Sequence, residues 1–86
     1  MSTPFQCTVI TPSGSAFEGQ VRYASFPAWD GQYGVAAGMA PLLGKLGQGA
    51  LHLDTSEGRR TMQIEGGFAH VRQGVLTLLT EHVHQD

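Results

Sequence analysis

A single cysteine, Cys7, is all that the chain contains, so no disulfide can form within it and the stapled framework of a small oxidised domain is excluded. Charge is also scarce. Asp, Glu, Lys and Arg make up 14% of the residues, against about 25% in ordinary soluble domains. This deficit points to a surface partly covered by another protein. The five cations, Arg22, Lys45, Arg59, Arg60 and Arg72, are scattered and only one pair is adjacent, which leaves no basic stripe for nucleic acid or anionic lipid. No apolar run approaches the roughly 20 residues needed to cross a bilayer, and no signal peptide opens the chain. A membrane, if it matters here, is reached through another protein. With 86 residues the chain has room for one domain, residues 1–86, and not for two.

The motifs of catalysis are missing as well. No G-x-S-x-G elbow is present, and Cys7 sits in an apolar strand where a small core residue is the usual occupant. The run Gly44 to Gly49 lacks the spacing of a dinucleotide fingerprint, and no Gly-Lys-Ser/Thr exists to hold phosphates. The seven carboxylates are spread one to a segment. His82 and His84 would share one face of an extended strand, an arrangement that chelates zinc or copper only if a third ligand approaches, and none is near in sequence. His52 and His70 alternate with apolar neighbours and are expected to face solvent or an interface. No catalytic, cofactor-binding or metal-binding residue is therefore assigned, and the chain reads as a non-enzyme. An enzyme reading would require a substrate-sized pocket lined by two or more titratable groups with displaced pKa values.

What is abundant is glycine: twelve residues, about twice the usual share. The glycines lie between short apolar segments, as in an all-β domain. Helix is disfavoured even in its best stretch, Ala36 to Leu46, where Gly38, Pro41 and Gly44 cost roughly 1, 3 and 1 kcal/mol relative to alanine. Phe5 to Thr11 alternates Phe5, Cys7 and Val9 against Gln6 and Thr8, and Thr11-Pro12-Ser13-Gly14 ends it. Ala16 to Gln20 leads into a strand from Val21 to Phe26, and Asp30-Gly31 turns the chain into Gln32 to Val35. Ala50 to Asp54 puts Leu51 and Leu53 on one face, and Thr55 to Gly58 closes a hairpin to Arg60 through Ile64. Gly66-Gly67 breaks that strand and Phe68 to Val71 resumes it. Gln73-Gly74 then turns into Val75 to Thr80, and Glu81 to Asp86 is expected to fray. The reading is a sandwich of two antiparallel sheets with about ten short strands and no substantial helix.

The stretch Pro27-Ala28-Trp29-Asp30-Gly31-Gln32-Tyr33-Gly34-Val35-Ala36-Ala37-Gly38-Met39-Ala40-Pro41-Leu42-Leu43 resembles the signature of the ATP synthase epsilon subunit. In that family an acidic-Gly-x-aromatic-Gly turn leads into a Pro-Gly-His-Ala-Pro-Leu-Leu loop. The flanks agree in order: Val9-Ile10-Thr11-Pro12, Phe17-Glu18-Gly19, Leu46 through Leu51, Glu65-Gly66-Gly67-Phe68-Ala69-His70-Val71 and Val75-Leu76-Thr77-Leu78-Leu79. Met39 stands where the family usually has histidine, and Ala37 where it usually has proline. The family also generally continues into a C-terminal helical hairpin that carries inhibition and, in some members, nucleotide binding. If the natural protein ends near Asp86, neither hairpin inhibition nor ATP binding is expected.

The resemblance implies a non-catalytic rotor subunit of an F-type ATP synthase, joining the gamma subunit to the membrane c-ring and coupling ion flow to ATP chemistry. It implies a peripheral location on the cytoplasmic face of the bacterial inner membrane, without direct membrane insertion. Carried over by position, Ala16, Ala40, Pro41, Leu43 and Phe68 match the apolar face toward gamma, and Asp30, Gln32, Tyr33 and Met39 match the loops that face the ring. The alternative of a different class is a generic β-sandwich interaction module, unrelated to rotary motors, that takes a peptide along a sheet edge.

Overall fold

Strict two-residue alternation places Phe5, Cys7 and Val9 on one side of the first strand and Leu51 and Leu53 on one side of another, and all five side chains are buried. The computed structural model describes residues 3–85, with backbone alone at Gln85. The expected domain, residues 1–86, includes Met1, Ser2 and Asp86, which lie outside the described residues.

Among the described residues ten strands run in chain order: β1 (Phe5–Thr11), β2 (Gly14–Val21), β3 (Tyr23–Ala28), β4 (Gly31–Val35), β5 (Leu42–Lys45), β6 (Gln48–Thr55), β7 (Gly58–Glu65), β8 (Phe68–Arg72), β9 (Val75–Leu79) and β10 (His82–Gln85). They form two five-stranded sheets, ordered β2-β1-β9-β8-β5 and β10-β7-β6-β3-β4. Between the sheets lies one apolar cluster that includes Cys7, Val9, Phe26, Leu51, Leu53, Met62, Ile64, Leu76 and Leu78. The all-β sandwich expected from the sequence is the fold observed. One pairing departs from it, since β1 and β9 run parallel, with Cys7 opposite Leu76 and Val9 opposite Leu78.

The turns follow local chemistry. Thr11 Oγ1 donates to Gly14 O (3.0 Å) and accepts from Ser13 N–H (3.1 Å); Thr55 Oγ1 repeats the arrangement with Gly58 O (2.8 Å) and Glu57 N–H (3.1 Å). The two-residue β8–β9 turn holds both Gln73 (φ 53°) and Gly74 (φ 76°) in the left-handed region, as a tight hairpin of the favoured hand requires.

Four expectations from the sequence are corrected. First, the span Ala16 to Phe26 is not a lead-in followed by one strand: β2 and β3 belong to different sheets, and the chain changes sheet at Arg22, whose N–H bonds Asp54 O at 2.7 Å. Second, Phe68 to Val71 does not resume the strand before Gly66-Gly67, because β7 and β8 lie in opposite sheets. Third, Leu42–Lys45 is a strand, paired with β8. Fourth, residues 82–85 are not frayed: His82 sits opposite Glu65 and Val83 opposite Ile64 on β7, and Val83 packs against the core. In each case the deciding partner is remote in sequence.

Two of the chain's crossings between sheets, at Leu46-Gly47 and at Gly66-Gly67, meet at one corner. Leu46 N–H bonds Gly67 O (2.8 Å), Gly66 N–H bonds Gly47 O (3.0 Å), Gly47 N–H bonds Pro27 O (3.0 Å) and Trp29 N–H bonds Lys45 O (3.1 Å). The ends of β3, β5 and β7 are thereby tied together, which fixes the base of the β3–β4 turn.

Candidate functional site

Because side chains alternate along a strand, an adjacent pair of large apolar residues must send one of them outward. The pairs Val9-Ile10, Leu42-Leu43 and Leu78-Leu79 do this on the first sheet. Val9 and Leu78 are buried, whereas Ile10 (36%), Leu43 (76%) and Leu79 (49%) are exposed, together with Phe68 (54%). The register assembles them. Ile10 stands opposite Leu79, Leu79 opposite Phe68, and Leu43 one diagonal step beyond on the edge strand β5. A hollow of about 230 Å³ lies beside Leu43, Phe68, His70, Thr77 and Leu79; a second, of about 300 Å³, lies on the other side of Phe68 and Leu79, against Ile10 and Pro12. Thr8, Thr77 and His70 line up across the sheet as the next outward row. The result is an apolar surface with a polar border, the anatomy of a protein interface.

The five residues matched to a gamma contact are thus only partly brought together. Leu43 and Phe68 share one hollow. Ala40 and Pro41 are exposed in the segment just before β5. Ala16 lies on β2, at the opposite edge of the sheet, half-buried against the core and beside Glu81, His82 and Val83. Ile10 and Leu79, which residue-by-residue matching missed, complete the patch; the apolar doublets were the signal available.

Asp30, Gln32, Tyr33 and Met39 are strung along the free edge of the second sheet, where β4 is outermost. Asp30 precedes this strand in the β3–β4 turn. Met39 lies beyond its other end, in a small hollow with Phe5, Val35, Gly74 and Leu76. A five-residue strand separates them by about 17 Å. Gln32 is engaged inside the molecule: its Nε2 donates to Ser25 Oγ (2.8 Å) and Ala50 O (3.3 Å). Tyr33 packs on Phe26, ring centroids 6.0 Å apart, and its hydroxyl donates to Asp30 Oδ2 at 3.5 Å.

Chemistry elsewhere is sparse. Burial pushes the Cys7 thiol up to about 12. The Arg59 hydrogen bond, Nε to Asp54 Oδ1 at 2.8 Å, holds the Asp54 carboxyl below its ordinary value and raises Arg59 in turn. None of these three residues lines the hollow of about 540 Å³ that is bordered by Phe17, Glu18, Glu57 and Arg60, with Arg60 stacked 5.2 Å over the Phe17 ring. Among the described residues, no group of three or more His, Cys, Asp or Glu is placed to hold a metal ion. His82 and His84 both lie on β10, with Glu65 and Gln63 opposite them. His52 Nδ1 lies 3.0 Å from Thr61 Oγ1 across β6 and β7. Among the described residues, no helix is long and apolar enough to cross a membrane.

Residues 4–86 match the family model described as ATP synthase, Delta/Epsilon chain, beta-sandwich domain. The chain is 37% identical over 75 residues to the ATP synthase epsilon chain of Rhodopirellula baltica, covering 87% of this chain and 59% of that one. It is 38% identical over 80 residues to the epsilon chain of Chlorobium limicola, covering 92% and 91% respectively. Among solved structures it resembles a chain of the Euglena gracilis mitochondrial ATP synthase OSCP/F1/c-ring assembly, with TM-score 0.86 and 26% identity over 99% of this chain and 56% of that one. A chain of the Tetrahymena thermophila mitochondrial ATP synthase central stalk and c-ring shares the fold, with TM-score 0.79 at 11% identity.

Proposed function

Because the chain belongs to the ATP synthase delta/epsilon β-sandwich family, we propose that it is a non-catalytic rotor-stalk component of an F-type ATP synthase, joining the gamma subunit to the c-ring. It would sit at the membrane surface through that assembly, on the cytoplasmic face of a bacterial inner membrane. A generic sandwich module unrelated to rotary motors does not account for a family match over residues 4–86.

The observation that carries the reading is the apolar row Ile10, Leu79, Phe68 and Leu43, exposed side by side on the outer face of one sheet of a family member. Gamma is assigned to this face, with Ala40 and Pro41 beside it. Ala16, on the far edge strand, would contribute only if gamma also wraps that edge. The ring is assigned to the β4 edge from Asp30 to Met39. Torque passing between ring and shaft needs a connector that does not deform, and two sheets packed at crystal-like density across one core meet that need.

Co-purification with gamma tests the assignment. Leu43→Glu is expected to weaken gamma binding by about 2 kcal/mol or more, roughly 30-fold, since it places an unpaired charge in a desolvated contact. Unchanged binding by a folded Leu43→Glu chain would show that gamma uses another face.

A further inference from the structure

Of the four histidines, only His70 lies on the sheet whose outer face is assigned to gamma; His52 is on β6 and His82 and His84 are on β10, all in the other sheet. Alternation along β8 turns Ala69 and Val71 into the core and sends Phe68, His70 and Arg72 outward. The His70 ring is half-buried and borders the hollow of about 230 Å³ with Leu43, Phe68, Thr77 and Leu79. Among the described residues it makes no hydrogen bond or ion pair. A titratable ring without a partner thus sits inside an apolar surface.

The charges around it are of one sign. On β5 it stands opposite Leu43, with Lys45 one diagonal step away; on β8 its next outward neighbour is Arg72. On β9 it stands opposite Thr77, flanked by Val75 and Leu79, and none of these titrates. Lys45 and Arg72 are both exposed. Such neighbours in a sheet are about 7 Å apart, inside the Debye length of about 8 Å at physiological salt. The carboxylates of this face lie further off. Glu18 ends the same row beyond Thr77 and Thr8, three strand spacings or about 14 Å away, and Glu81 lies past Leu79 at the second hollow.

Protonating His70 therefore adds a third positive charge where no carboxylate balances it. In the free chain, water screens that charge. Once a partner covers the hollow the ring loses its water, and desolvation penalises the imidazolium far more than the neutral imidazole. Histidine is also the side chain whose charge ordinarily changes between about pH 5 and 8.

We propose that His70 makes the gamma contact pH-sensitive: gamma docks on the neutral imidazole, and a proton taken up in acid opposes docking. This rests on the reading that gamma covers the row Ile10, Leu79, Phe68 and Leu43. Linkage fixes the sign. Binding is strongest where His70 is neutral and weakens as pH falls, because the free chain takes up a proton that the complex excludes.

The test measures the affinity of the purified chain for an epsilon-depleted F1 complex that retains gamma, at constant ionic strength. Affinity is expected to fall about tenfold between about pH 8 and about pH 5.5. Titration calorimetry near the acid end, in buffers of different ionisation enthalpy, should show a proton released on binding. His70→Gln should remove both effects, and its comparison with the parent cancels the titration of groups on F1. His70→Lys, which keeps its charge throughout, should bind under the alkaline condition about as weakly as the parent binds in acid. His52→Gln, altered in the other sheet, should keep the parent's pH profile. Melting temperatures of each variant at each pH separate loss of binding from loss of fold. The same acid weakening in the parent and in His70→Gln, or binding that strengthens in acid because gamma brings a carboxylate to His70, would overturn the switch and leave the gamma face standing. A folded Leu43→Glu chain that binds as the parent does would overturn the face and the switch with it.

Discussion

The phenol end of Tyr23 lies across Gly34, so closely that a Cβ at Gly34 would overlap Tyr23 Oη and stand 2.7 Å from its Cζ. Gly34 pairs with Ser25, two residues along β3 from Tyr23, so the ring covers the bare backbone of an edge strand diagonally. Tyrosine thus fills the space that a side chain on β4 would otherwise occupy.

This relationship predicts a change of sign. With Tyr23 present, Gly34→Ala should destabilise the protein by about 1–3 kcal/mol, because the ring must be displaced. In a Tyr23→Ala background the same substitution should stabilise by about 0.5–1 kcal/mol, the ordinary advantage of alanine over glycine inside a strand. Urea denaturation of the four variants gives the coupling directly; additive effects would show that the ring and the glycine are energetically independent.

Gly67 obeys a different constraint. Its φ is 111°, and a Cβ there would overlap the Leu79 carbonyl oxygen and approach Leu79 C and Thr80 Cα at 2.8 Å. These are backbone atoms, which cannot swing aside as Tyr23 can. Gly67→Ala should cost about 3 kcal/mol or more, combining a disfavoured backbone region with overpacking. Gly74, at φ 76° with nothing within 4 Å, serves as the control: Gly74→Ala should cost only about 1 kcal/mol. Equal losses for the two would mean that the chain relaxes freely at the crossing between the sheets.

How far the sequence was legible divides along the range of the interactions. The buried faces Phe5-Cys7-Val9 and Leu51-Leu53 follow from alternation alone, and both Thr-x-x-Gly turns from local hydrogen bonding. Which strand lies beside which does not. The parallel pairing of β1 with β9, the change of sheet at Gly66-Gly67 and the docking of β10 on β7 depend on partners that no local pattern encodes. The same division holds at the surface. Leu43 and Phe68 were singled out by resemblance, and their apolar neighbours Ile10 and Leu79 required the register.

Leu79 supplies an independent check on the surface proposed to face gamma. It stands between Ile10 and Phe68 in the register and borders both hollows. Leu79→Glu should therefore weaken gamma binding as much as Leu43→Glu, about 30-fold, while the melting temperature stays near that of the parent because the side chain is half exposed. Gamma binding that is lost with Leu43→Glu but retained with Leu79→Glu would confine the contact to the β5 edge.

Cys7 offers a measurement on the fold itself, free of any partner. Its side chain is fully buried in the first sheet, opposite Leu76 on β9, and burial raises the thiol from 9.0 to about 12. Subtracting the two values gives 3, so at neutral pH the native protein carries about a thousandfold less thiolate than an unfolded chain, and thiolate is the form that reacts. A disulfide reagent at pH 8 should leave the folded protein unlabelled except through unfolding. The labelling rate should then rise with urea in parallel with loss of structure. The linkage to pH has a definite sign. The folded state retains the thiol proton where the unfolded state releases it, so the stabilisation is complete below pH 9.0 and is lost as pH rises toward about 12. Replacing Cys7 with alanine should lower stability at neutral pH by leaving a small void, yet flatten the decline across that alkaline window. Rapid labelling of the native protein, at a rate independent of urea, would show that β1 opens locally and that the core around Cys7 is not a single cooperative unit.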